Sequence, residues 1–140
     1  MIFADFKDFI AALPPVGRLL GIDWGARRIG FAVSDDNREF TFPRENLKSK
    51  DIAEIIGSEK IVGIVIGLPT HADGTDSDTT VKVHEFTAEL AALTNLPIVF
   101  MDEQLTSVEA RDRTGGQRID AHAAAVILED AIAKIKRTGK

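Results

Sequence analysis

The sequence predicts an α/β domain, a five-stranded mixed sheet with helices on both faces. Two apolar runs around Leu19–Ile22 and Ile29–Val33 flank a short polar turn and read as a hairpin. Lys60–Gly67 is apolar on both faces, as a central parallel strand is. In the second half of the chain, helical periodicity alternates with short apolar runs, the pattern of crossover connections.

Each element has its own signal. Phe3, Phe6, Phe9, Ile10 and Leu13 recur at helical spacing, which predicts an amphipathic helix over 3–13, ended by Pro14-Pro15. Residues 1–17 are therefore expected to be an N-terminal helical extension, and residues 18–140 a single domain. Strands follow over 18–24 and 28–35. Asp35-Asp36-Asn37 makes a turn into a third strand, Arg38–Phe42. Asp51–Gly57 reads as a short helix, then the central strand, then a polar loop through Asp76. Val81, Val83, Phe86, Leu90 and Leu93 predict a long helix ending near Thr94-Asn95. Ile98–Met101 is a buried strand running into Asp102-Glu103. A charged helix is expected from Ser107 to Arg113, and Gly115-Gly116 forms a joint. The last helix, Asp120 to Lys136, carries Ala124, Ile127, Leu128, Ala131 and Ile135 on one face. With its first hairpin strand in the centre, this order has the layout of an RNase H-like fold.

Bulk composition narrows the function. The chain has 140 residues, 44% apolar and 28% charged, enough for one core. No apolar run approaches the roughly 20 residues of a membrane span, and the acids near the N-terminus are unlike a secretory signal. With no cysteine there are no disulfides or thiolate metal sites, and a cytoplasmic location is the default expectation. A resident metal must then use oxygen or His ligands, which favours Mg²⁺ or Mn²⁺ over zinc. A net charge of −5 argues against a broad nucleic-acid coating surface but not against a nuclease, whose metal-binding acids are themselves negative.

Three acids stand where this topology can gather them. Asp23 is near the end of the first hairpin strand, Glu103 follows the last strand directly, and Asp120 begins the last helix. Parallel strands present their C-terminal ends on one edge, where open sheets place ligands. Two-metal phosphodiester hydrolysis uses such a carboxylate cluster around ions roughly 3.5–4 Å apart. Each acid also has a plainer reading. Asp23 can accept backbone N–H bonds in the turn at Gly25, Glu103 can sit at a helix start, and Asp120 can be an N-cap. Arg27 or Arg28 can hold phosphate oxygens or pair with Asp35 and Asp36. Thr106 and Ser107 can cap a helix or bind phosphate, with Arg111 beyond them. His71 and His122 read as solvent-facing. No aromatic-rich stacking platform is evident, so nucleic-acid shape is expected to matter more than base sequence.

Four motifs then resemble those of the YqgF/RuvX family. They are Gly21-Ile22-Asp23-Trp24-Gly25 with Arg28-Ile29-Gly30 and Ala32–Asp35; Ile64–Pro69 with Asp73-Gly74-Thr75; Asp102–Ala110; and Ile119–Leu128. The resemblance runs from about Gly17 to Ile135. It implies an RNase H-like, metal-dependent nuclease with Asp23, Glu103 and Asp120 as catalytic and metal-binding acids. It also implies a substrate of structured nucleic acid: precursor 16S ribosomal RNA at its 5′ end, or branched DNA at a Holliday junction. Symmetric junction cleavage would favour a homodimer. Gln104, Ser107 and His71 depart from the residues common in the family, and Thr75–Asp78 is acidic. Two other readings compete. An actin-like ATPase or sugar kinase also opens on an Asp-x-Gly turn but needs a second such domain. A non-catalytic nucleic-acid-binding module of the same fold does not need all three acids.

Overall fold

Strand β2 (Arg18–Trp24) organises the molecule. A computed structural model describes residues 1–25, 29–45, 47–69, 78–103 and 119–138. In it β2 lies between β3 (Ile29–Ser34), antiparallel, and β5 (Ile61–Pro69), parallel. Beyond β3 runs β4 (Thr41–Arg44), and beyond β5 runs β6 (Ile98–Glu103), parallel to it. A short strand β1 (Ile2–Phe3) pairs with β6 at the outer edge, giving the order β1-β6-β5-β2-β3-β4. The predicted mixed α/β sheet is present, with six strands among the described residues rather than five.

The extra strand, Ile2–Phe3, takes the first residue of the helix predicted over 3–13. The helix, α1, spans Phe6–Ala12 and starts at Asp5, whose carboxylate accepts the Lys7 N–H at 2.9 Å. Upstream of that cap, the Met1 carbonyl accepts the Ile98 N–H at 2.8 Å and pulls the first residues into the sheet. Phe6 and Phe9 are buried in the core, and their rings meet edge to face.

The third strand lies three residues later than predicted, at Thr41–Arg44. The reason is the turn. Asp35 accepts the N–H groups of Glu39 and Phe40 at 2.8 Å each, and Arg38 takes a left-handed conformation, φ 56°. Arg38 is buried at 9% exposure. Its Nε donates to the Gly17 carbonyl and its Nη2 to the Pro14 carbonyl, both at 2.8 Å. One guanidinium therefore ties this turn to the linker between α1 and β2.

Helix α2 (Ile52–Ser58) and helix α3 (Asp78–Leu93) cover one face of the sheet, with Leu20, Ile22, Phe31, Val33, Ile64, Ile66 and Ile98 between them. Helix α4 (Ile119–Thr138) and α1 cover the other, over Leu19, Ala32, Val65 and Val99. Strand alternation sorts the residues: Leu20 and Ile22 face α2 and α3, and Leu19 faces α4. The helix expected over Ser107–Arg113 lies outside the described residues. Among the described residues no helix is long and apolar enough to cross a membrane.

Candidate active site

Asp23 is a charged residue in one of the two middle strands and is only 3% exposed. Residues two apart on a strand share a face, so Asp23 follows Leu19 and Gly21 on the α4 side. It pairs with Gly30 on β3 and is engaged in a polar or electrostatic interaction. A buried carboxylate at a strand end is costly unless partnered or bound to a cation.

The sheet register locates the second acid. Ile22 is level with Ile66 on β5, and Ile66 with Phe100 on β6. One step further along, Asp23 falls in the row of Gly67 and Met101; Glu103 lies two residues beyond Met101, paired with Pro69. The strands β2, β5 and β6 run parallel, so Asp23 and Glu103 stand on the same, C-terminal edge. Two inter-strand spacings, about 10 Å, separate their strands laterally.

Helix α4 brings in the third. It lies against β2 at Gly21, where a β-carbon would come within 3.0 Å of the Ala124 carbonyl oxygen and of the Leu128 Cβ. A side chain at this position would force the helix to give way. Asp120 is one helical turn before Ala124, about 6 Å of helix, and Asp23 is two residues after Gly21, about 6.6 Å of strand. Both acids are thus a short run of chain from a single close contact. The side chains of Glu103 and Asp120 lie outside the described residues, as do Arg27, Arg28, Thr106, Ser107, Arg111 and His71. His122 is exposed, in line with its solvent-facing reading.

A second polar feature escapes sequence reasoning. An open cleft of about 850 Å³ lies at the outer edge of β6, bordered by Phe3, Lys7, His84, Phe100, Met101 and Lys134. The His84 and Phe100 rings meet edge to face at 4.9 Å, and the Lys134 ammonium lies 4.6 Å from the centre of the Phe6 ring. These groups come from β1, α1, α3, β6 and α4. No local motif announces them; only the pairing of β1 with β6 brings the first residues beside α3 and α4.

Comparison with known proteins agrees with this architecture. The family described as "RuvX: Holliday junction resolvase" matches residues 17–134. A protein of Maridesulfovibrio salexigens named "Putative pre-16S rRNA nuclease" is 37% identical, over 84% of this chain and 98% of its own length. Proteins of the same name from Rhodobacter capsulatus and Ruegeria pomeroyi are 34% and 36% identical, over 100% and 97% of this chain and 98% and 99% of theirs. With most of its length covered at this identity, on a sheet whose acid-bearing strands end on one edge, the chain belongs to the RuvX family of nucleases.

Proposed function

We propose that the protein is a metal-dependent endonuclease that cleaves precursor 16S ribosomal RNA near its 5′ end, with Asp23, Glu103 and Asp120 as its catalytic acids. The observation that carries this reading is the register that ends β2 and β6 on one edge, beside a helix anchored at Gly21. The names of the full-length relatives support the ribosomal substrate.

The donor set suits a hard divalent cation. Asp23 is buried at a strand end, and the candidate partners are carboxylates, the oxygen ligands that Mg²⁺ and Mn²⁺ prefer. When bound, such a cation supplies positive charge to offset the charge that develops on the phosphate during hydrolysis. The chain's own contribution is positional. Asp23 pairs with Gly30 of β3, and the residue before it, Ile22, with Ile66 of β5, which holds the carboxylate in place before substrate arrives. Arg27, Arg28, Thr106, Ser107 and Arg111 are the residues proposed to grip the phosphates, and Arg in particular suits that task.

The family description favours a second reading, resolution of four-way DNA junctions, for which a homodimer would suit a symmetric cut. A cleavage assay with Mg²⁺ or Mn²⁺ on precursor ribosomal RNA and on a four-way DNA junction separates the two. Selective metal-dependent cut of the RNA supports the first; selective cut of the junction replaces it with the second.

A further inference from the structure

The cleft at the β6 edge has a chemistry of its own. β1 ends at Phe3, opposite Val99. Among the described residues no strand pairs with the outer edge of β6 beyond that point, although β6 continues to Glu103. The cleft opens where the strand stops. Phe100 and Leu68 reach it from the α3 side of the sheet, and Phe6 and Met101 from the α4 side. It therefore wraps around the sheet edge rather than lying on one face.

Its polar lining is cationic in an acidic protein. Lys7 and Lys134 outnumber the one acid in the lining, Asp5, whose carboxylate accepts the Lys7 N–H as the α1 cap. The whole chain, by contrast, carries −5. Ring surface accompanies the charge: Phe3, Phe100 and the exposed His84 line the same opening. Cations beside aromatic rings are what single-stranded nucleic acid uses, with phosphates on the cations and bases against the rings. Two of the lining residues lie close along their strands to the candidate active edge. Met101 is two residues before Glu103, and Leu68 is the β5 neighbour of Asp102.

We propose that this cleft seats unpaired nucleotides of the substrate, on the β6 side of the bond to be cut, with Lys7 and Lys134 on phosphates and His84 and Phe100 against a base. The inference rests on the nuclease reading and adds to it a preference for a duplex that continues into a single strand. It gives an acidic protein a local grip on its substrate without a broad basic surface.

The test is binding by the Asp23→Asn chain, in which cleavage is blocked, measured by fluorescence anisotropy. One probe is an RNA hairpin with a short single-stranded overhang; the other is the same hairpin with a blunt end. Adding Lys7→Gln and Lys134→Gln should weaken binding of the overhang probe about tenfold or more at low salt and lower its salt slope by about 1.4, two single-strand contacts at about 0.7 each. The blunt probe should bind as before. Equal losses on both probes, or none, overturn the proposal. Because Lys134 also touches Phe6, a second measurement uses the unsubstituted chain, with divalent ions chelated and thiouridine in the overhang. Photo-crosslinks within Phe3–Lys7 or to His84 or Phe100 support the cleft, and crosslinks confined to other segments overturn it. Undiminished cleavage by Asp23→Asn would instead be a failure of the catalytic reading, visible in turnover and separate from either binding result.

Discussion

The carbonyl oxygen of Ala124 lies 3.0 Å from the point a β-carbon on Gly21 would occupy. This contact sets how closely α4 rides on the central strand. The atom in the way is helix backbone, which cannot swing aside as a side chain can. Gly21→Ala should push the helix away and cost about 1–3 kcal/mol of stability, as overpacking of a well-filled core does. Denaturant unfolding of the variant measures this, and an unchanged midpoint would show that the helix yields freely. Because Asp23 and Asp120 flank the contact, cleavage by the folded variant should fall further than stability alone explains.

Arg38 ties two loops with one buried guanidinium. Burial holds its pKa below the usual arginine value, yet it donates to two carbonyls, those of Gly17 and Pro14. Arg38→Ala leaves both carbonyls without this donor and should cost about 2–4 kcal/mol. Arg38→Lys should recover only part of that, since a single ammonium cannot reproduce the planar fork. Equal stability of the Lys variant and the native chain in urea unfolding would contradict this account.

The sheet was legible where packing and periodicity coincide. Ile61–Gly67 reads as buried on both faces because, with Val62 half-buried, it is, and the last helix shows its apolar stripe because one face meets the sheet. The two-residue β1 left no pattern, since it is held by backbone pairing with β6 and its phenylalanine continues the helical spacing of Phe6 and Phe9. Arg38 concealed the start of the third strand because a left-handed arginine is not a turn signal. Of the candidate site, the acids could be picked out by position at strand and helix ends. Their relation across β2, β5 and β6 depends on register, which no local pattern encodes.

Two carboxyl groups should respond to acid in opposite directions. The Asp35 pKa lies below its usual 3.8, chiefly because the Phe40 N–H bonds the ionised form. Its contribution is full above the unfolded value and is lost as pH falls through the lowered pKa, so Asp35→Asn should destabilise at pH 7, with a difference that vanishes in strong acid. Asp130 lies above 3.8 because burial, then Glu129, disfavours its charge, against a smaller opposing effect of Arg137. There the penalty appears as pH rises through the raised pKa, so Asp130→Asn should stabilise modestly at pH 7 and not below about 3.8. Urea midpoints across this range check both signs; a stabilising Asp35→Asn or a destabilising Asp130→Asn at pH 7 would contradict them.

Metal binding should register in the melting curve. A cation that binds only the folded chain stabilises it by about 2.7 kcal/mol at one hundred times its Kd. Thermal unfolding with Mg²⁺ or Mn²⁺ should shift upward for the native chain and far less for Asp23→Asn. Equal shifts in both would place the cation elsewhere.

The most direct measurement of the central claim is metal-dependent cleavage of precursor 16S ribosomal RNA by the native chain and by Asp23→Asn, which keeps the shape of the side chain and removes its charge. The account predicts specific cutting near the 5′ end by the native chain and a loss of about a hundredfold to a thousandfold in the variant, as expected when a group needed to stabilise transition-state charge is removed. Turnover by Asp23→Asn equal to that of the native chain would contradict it.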